Sequence, residues 1–482
     1  MDWLGWFGGE DYEFAREVVQ RGTAALYVVA FVSAVNQFPV LLGERGLLPA
    51  PTFLRRARYR DFPSIFHWRY SDRFLLAVAW AGAVIAAALV VGLPQLGPPW
   101  LTMLTFLVLW ALYLSIVNIG QTFYGFGWES LLVEAGFVVA FLGSNDVAPP
   151  ILIIFFLRWL LFRLEFGAGM IKIRGGSEWR DLTAMYYHHE TQPMPNPVSW
   201  FAHHTPTWFH RCEVLGNHFV QLVVPFLLFA PQPVASVAAL LIIASQLFLV
   251  LTGNFSWLNW ITIVIAFSGI SDGVLRAVFP WAGFEGTYDA DPVWWVVLVT
   301  AAFLFLAVLS YRPLRNLFAR RQLMNASFNR YHLVNAYGAF GTITKERNEV
   351  VIEGTDDEVP DDDADWRPYE FKGKPGDPAR MPPQVAPYHL RLDWLMWFLA
   401  LGSRDTRWFQ MLLLRLLEGD RPTLRLLRGN PFPDDPPRWI RAQMFLYRYS
   451  TPQERREQHV WWVRVPLGLI VAPVTLQPDT RR

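Results

Sequence analysis

The chain has 482 residues, of which 53% are hydrophobic, 16% aromatic and only 17% charged, against about 25% charged in ordinary soluble proteins. So apolar a chain cannot stay unburied in water, which excludes intrinsic disorder, and a net charge of +1 leaves no electrostatic footprint for nucleic acid. The single cysteine, Cys212, excludes an intrachain disulfide framework and any cysteine-based zinc or iron–sulfur centre.

The start, MDWLGWFGGEDYEF, has acidic residues where the basic region of a cleavable signal would stand. Its aromatics suit an interfacial segment ahead of a first span. Runs near the ~20 apolar residues needed to cross ~30 Å of hydrocarbon recur at 23–42, 74–93, 99–118, 128–143, 148–168, 214–230, 234–252, 256–271 and 293–311. Those at 128–143 and 256–271 are short and read as spans, re-entrant or tilted segments. The expected fold is a mostly α membrane protein: a polytopic bundle of about seven to nine transmembrane helices in residues 1–311, then a small water-facing α+β domain in 312–482. The charge distribution motivates that division, since residues 312–482 hold 26 Lys/Arg and 21 Asp/Glu.

Orientation rests on basic loop residues. Arg45, Arg55, Arg56, Arg58, Arg60, Arg69 and Arg73 precede the second run; Lys172, Arg174, Arg180 and Arg211 lie in the Pro/His-rich segment 169–212; Arg312, Arg315, Arg320 and Arg321 follow the last run. With nine spans these segments share one side, which the positive-inside rule makes cytoplasmic.

In the tail, Gly341–Glu353 alternates β-formers around Glu346-Arg347-Asn348 and predicts a β-hairpin. The acidic stretch Asp356–Asp365 reads as a solvated loop, with a loose cation site as the alternative. Periodicity predicts helices at Leu390–Leu401 and Trp408–Leu417 and strands at Arg438–Tyr449 and Val460–Val465. The tryptophans Trp394, Trp397, Trp408, Trp439, Trp461 and Trp462 exceed what one small core needs, so the tail is expected to touch the 169–212 segment.

Chemistry-bearing residues concentrate between Arg158 and His218. Arg158, Arg163 and Glu165 stand in an apolar run, where an ionisable group costs several kcal/mol unless paired. Glu165, or Glu129 and Glu134 on the preceding apolar segment, are the candidate partners. The cluster reads either as a structural ion-pair network or as a polar functional cavity. Lys172 follows the small residues Gly167-Ala-Gly169 and is the only lysine in the first 311 residues. It is a candidate base with a dehydrated amine, or an interfacial anchor.

Six of the ten histidines, His188, His189, His203, His204, His210 and His218, fall in 31 residues. Imidazole and carboxylate suit iron, zinc or copper. However, no repeated HxxHH box occurs, and Pro193, Pro195, Pro197 and Pro206 predict a stiff, non-helical loop. No metal is therefore expected. His188, His189, His203 and His204 remain candidates for acid–base work, and Trp179, Arg180, Asp181, Glu190, His210 and His218 for loop or client contact. No phosphate-binding loop, GxSxG elbow or HExxH helix appears.

Several ordered segments resemble the lipase maturation factor family: Phe126-Gly-Trp-Glu-Ser-Leu131, Arg158–Arg163, Gly169-Met-Ile-Lys-Ile-Arg-Gly175, Trp179-Arg-Asp-Leu182, and His189-Glu-Thr-Gln-Pro-Met-Pro-Asn-Pro197. Asn217-His218, Asn335-Ala-Tyr-Gly-Ala-Phe-Gly341, Tyr388-His-Leu-Arg-Leu-Asp-Trp394 and Leu417-Glu-Gly-Asp420 extend the resemblance over about residues 60–465. It implies a multi-pass membrane protein, of the endoplasmic reticulum in animals, that assists folding and assembly of secreted lipases through a lumenal loop and tail. A remoter similarity, at Ala168-Gly169, Lys172 and Trp179, is to the vitamin K-dependent γ-carboxylase. It implies the alternative of an enzyme using Lys172 as base on a quinone or lipid. No cofactor is otherwise expected; membrane lipid and a client protein are the expected partners.

The chain departs from the animal pattern in its lone cysteine and in ending Thr480-Arg-Arg482, which is no retrieval signal. Only four of its 42 cationic residues are lysine. This bias favours a bacterial member in a plasma membrane. The family resemblance places the loop and tail in the lumen and the basic loops place them in the cytoplasm; both sides remain open.

Overall fold

The computed structural model describes residues 5–280, 288 and 291–476. The first four residues of the predicted interfacial start, and Thr480-Arg481-Arg482, lie outside the described residues.

Among the described residues, five helices are long and apolar enough to cross a membrane: Glu10–Leu42, Asp72–Val90, Pro99–Ile119, Val234–Thr252 and Val293–Leu317. A sixth crossing arises if Leu258–Gly269 and Asp272–Val278, bent by 94° at a short break, form one broken span. These helices keep exposed apolar faces, among them Trp80, Val84, Leu104, Val237, Leu251, Val297 and Val308. Such a surface suits hydrocarbon and not water.

Seven to nine spans are expected from the sequence, and the remaining predicted runs differ from these helices in length, charge or continuity. The 128–143 run forms α4 (Gly127–Val139), whose 13 residues reach only about 20 Å. The 148–168 run lies in α5 (Ile151–Arg174), which carries Arg158, Arg163, Glu165 and Lys172 and buries them. The 214–230 run is cut at Val223, where α8 (Thr207–Leu222) ends before a short turn containing Pro225. Thus α4 and α5 are interior helices. Around them stand α1 (Glu13–Leu42), α2 (Asp72–Val90), α3 (Pro99–Ile119), α9 (Val234–Thr252), α10 (Leu258–Ala266) and α11 (Val293–Leu309). Close packing is set locally by small residues: a Cβ on Gly82 of α2 would lie 2.4 Å from the Phe31 ring of α1.

Residues 169–212 are not the non-helical loop that their prolines predict. Helix α5 runs on to Arg174, a turn occupies Ser177–Arg180, and α6 (Met185–Thr191) and α7 (Ser199–His203) precede α8. Pro193, Pro195 and Pro197 all fall between α6 and α7, and Pro206 is the N-cap of α8. Proline at these places removes no helical hydrogen bond.

The tail holds a four-stranded antiparallel sheet of order β2-β1-β3-β4, with β1 Arg347–Thr355, β2 Arg367–Pro368, β3 Trp439–Tyr449 and β4 Trp462–Val474. The predicted hairpin at Gly341–Glu353 does not form. Its first half lies against α5, where Gly176 N donates to Gly341 O at 3.0 Å, and β1 finds its partner in β3, Arg347 opposite Tyr447. Helices α12 (Arg391–Ala400) and α13 (Arg407–Leu417) match the predicted ones, and Asp356–Asp365 is irregular. One apolar core continues from Trp257 and Met194 in the bundle to Trp394 and Leu412 in the tail.

Candidate functional site

Three centres form around buried charges carried by α4 and α5. Glu134 on α4 pairs with Arg163 on α5, and its second oxygen accepts from Asn335 N at 2.8 Å, Asn335 Nδ2 at 2.9 Å and Tyr337 Oη at 2.7 Å. Arg163 also donates to Asn335 O at 2.7 Å. Glu129, also on α4, pairs with Arg391 and accepts from Tyr113 Oη; His389 Nδ1 lies 3.3 Å away. Both carboxylates are fully buried. Five residues turn a helix by about 140°, so the two sites face different partners, each reached by a tail segment entering the bundle.

The other intramembrane candidates separate. Among the described residues Arg158 meets no carboxylate; it donates to Ser268 O at 2.9 Å and Leu228 O at 3.3 Å and lies 5.0 Å from the Tyr12 ring centre. Glu165 accepts from Gln221 Nε2 at 3.2 Å and Gln246 Nε2 at 2.7 Å. Thus Arg158 and Glu165, expected as ion-pair partners, are served by carbonyls and amides.

Lys172 closes the third centre. Its Nζ donates to Asn217 Oδ1 at 2.9 Å and Gln221 Oε1 at 2.8 Å, and lies 4.6 Å from the Trp179 ring centre. Two amide oxygens and a π face favour the ammonium form, and burial of the amine works against its charge. Beside it opens a cavity of about 790 Å³, walled by α5, α8, α9 and the tail, with Glu165, Lys172 and Glu213 among polar lining residues and Phe248, Leu249 and Trp397 among apolar ones.

Of the clustered histidines, His188 lines that cavity. His188 is buried and stacked on Phe255. Burial, with the charges of His189 and Lys172 adding to it, pushes its pKa down to about 3. His203 Nε2 lies 3.7 Å from Glu190, and burial pushes it down to about 3 as well. His204 Nδ1 contacts Trp200 O at 2.8 Å and His218 Nε2 contacts Trp179 O at 2.9 Å. Trp179 Nε1 donates to Phe340 O at 2.8 Å, whereas Arg180 and Asp181 are exposed.

Glu213, absent from the sequence-based candidates, sits between His189 Nε2 at 3.2 Å and His210 Nδ1 at 2.7 Å. Burial raises its pKa, but the hydrogen bonds from the two imidazoles outweigh that and hold it below the usual carboxylate range. Among the described residues, the ligand atoms of these three lie near enough together to hold a metal ion.

Loop and tail do touch, as the aromatic surplus predicts. Arg347 donates to Glu190 O at 2.8 Å and Pro193 O at 3.1 Å, Tyr449 N donates to Glu190 Oε2 at 2.7 Å, and Trp200 Nε1 donates to Ser450 O at 2.9 Å. Sequence reasoning misses Asn335, Tyr337, His389, Arg391 and Gln221 as partners. The available signal is a polar residue set in an aromatic run, as in Asn335-Ala-Tyr and His389-Leu-Arg.

Apolar helices around a charge-paired interior, with a sheet-bearing tail plugged into it, define an integral membrane protein whose tail and bundle are built as one unit. The chain belongs to the lipase maturation factor family. The family's transmembrane domain profile matches residues 14–277 and its C-terminal domain profile residues 333–472. The chain is 40% identical to lipase maturation factor 1 of Homo sapiens, over 96% of this chain and 88% of that protein. It is 39% identical to that of Mus musculus over 96% and 87%, and 30% identical to lipase maturation factor 2 of Rattus norvegicus over 93% and 81%. No solved structure matches.

Proposed function

We propose that the protein is a membrane-embedded maturation factor that holds a secreted lipase-type client while it folds, without chemistry of its own. The relatives' names supply the client class. The observation that carries the reading is an exposed apolar surface where loop and tail meet. Edge strand β4 leaves Val465, Leu467, Leu469 and Ile470 exposed, and Phe201 and Trp208 project from the neighbouring helical segment. An edge strand with free backbone groups and apolar side chains suits a partly folded chain with unpaired strands. This face belongs in the compartment where the client folds: the endoplasmic-reticulum lumen in an animal setting, or the outer side of a bacterial plasma membrane.

The cavity beside Lys172 supports lipid as a second partner, because about 300–1,000 Å³ is the size of small-molecule sites and its wall is mostly apolar. The test is co-expression with a secreted dimeric lipase, followed by co-purification and secreted activity. Leu467→Asp/Leu469→Asp should lower both several-fold, and Lys172→Met, if it folds, should leave them. Undiminished capture by the Asp variant would end the client-surface reading; lost lipase maturation with intact capture in Lys172→Met would point back to an enzyme.

A further inference from the structure

A second polar constellation stands apart from the charge clamps, at the junction of α6 and α8. His210 and Glu213 are three residues apart on α8, so they project from one side of that helix, and His189 reaches them from α6. One ring nitrogen of each histidine and a carboxylate oxygen lie within 4.8 Å of one another. The side chains of His189, His210 and Glu213 are only 1%, 4% and 6% exposed.

The orientation of His210 is the telling feature. Its Nε2 faces His203 O at 3.3 Å and Thr205 Oγ1 at 3.4 Å. The Thr205 hydroxyl already donates to Ala202 O at 2.8 Å, so both neighbours of Nε2 accept and Nε2 must carry the proton. Nδ1 of the same ring lies 2.7 Å from Glu213 Oε2. Atoms so close are held either by a second proton on the ring or by a cation that both ligate. A backbone carbonyl fixing the tautomer of one ring nitrogen while the other faces a carboxylate is the arrangement of metal-bound histidine.

We propose that His189 Nε2, His210 Nδ1 and Glu213 bind one borderline divalent cation of the zinc type. Two imidazoles and one carboxylate suit zinc, with bonds of about 2.0–2.2 Å. The 3.2 Å separation between His189 Nε2 and Glu213 is close to the edge of a tetrahedron with such bonds, about 3.3 Å. The 2.7 Å separation at His210 opens by roughly half an ångström to match it. Glu213 stands on the wall of the large cavity, so the fourth position is reached from there by water or by a donor atom of a cavity ligand. The prolines that argue against a metal site in the sequence lie outside α6 and α8, and these helices provide the rigid placement that such a site needs.

The test uses the full-length protein, purified in detergent without a histidine tag, stripped with chelator and equilibrated with Zn²⁺. Elemental analysis should find about one zinc per chain. His210→Ala and Glu213→Gln should each weaken binding about tenfold or more, whereas His218→Ala, outside the set, should bind as the parent does. Co²⁺ added to the unmodified stripped protein should give the intense visible bands of four-coordinate cobalt, a readout that needs no variant to fold. Absence of stoichiometric zinc after equilibration, or binding unchanged in both ligand variants, would overturn the site.

Discussion

Glu129→Gln tests the idea that the tail is locked into the bundle by buried charge. The substitution keeps size and one acceptor oxygen but removes the charge facing Arg391. Neither residue is exposed to solvent, and besides the amide oxygen Arg391 would keep Phe123 O at 3.0 Å, the face of Tyr124, 3.5 Å from its guanidinium carbon, and the more distant Trp257 ring. Breaking a buried pair from one side costs about 3–5 kcal/mol, and the retained amide oxygen places this change near the lower figure. That is a large share of an ordinary stability of about 5–15 kcal/mol.

The assay is chemical unfolding in detergent followed by tryptophan fluorescence, since Trp128, Trp257 and Trp394 all surround His389 beside the pair. Arg391→Met should destabilise comparably, because it strands Glu129. The double variant Glu129→Gln/Arg391→Met should cost less than the sum by about 1–3 kcal/mol, having no unpaired charge left. Single variants within about 1 kcal/mol of the parent, or strictly additive losses, would refute the lock.

Two further outcomes follow from the tail's entry into the bundle. His332 contacts Ser130 Oγ at 3.0 Å and Asn118 Oδ1 at 3.1 Å, and burial pushes its pKa down to about 4. The unfolded chain takes up that proton below about 6.5, so stability is present above 6.5 and declines as pH falls, by about 2 kcal/mol from this group at pH 5. His332→Gln should flatten the pH dependence of the melting temperature, and an unchanged slope would contradict this. A Cβ on Gly175 would lie 1.9 Å from Gly341 O, so Gly175→Ala should loosen residues 341–346 and speed tryptic cleavage at the exposed Lys345 by about tenfold; an unaltered cleavage rate would show that the contact does not hold the loop.

Local properties of the chain suffice for much of this protein. Apolar runs such as 74–93, 99–118, 234–252 and 293–311 identify membrane helices because hydrocarbon selects on composition and length, and α12, α13 and β3 follow from side-chain periodicity. Isolated charges in apolar surroundings, at Glu129, Glu134, Arg158, Arg163, Glu165 and Lys172, announce a buried polar interior before any partner is known.

The partners themselves are decided by tertiary structure. Glu129 meets Arg391 across 262 positions and Glu134 meets Asn335 across 201, distances over which spacing carries no information. The same holds for β1, whose apparent hairpin mate at 341–346 loses to β3 because the glycines at 175, 176 and 341 let that segment lie flat on the end of α5. It holds again for Glu213, an ordinary helical glutamate in the sequence that comes to stand between His189 and His210. Composition determines which groups leave water, and only the packed fold determines which of those groups are then near enough to satisfy one another.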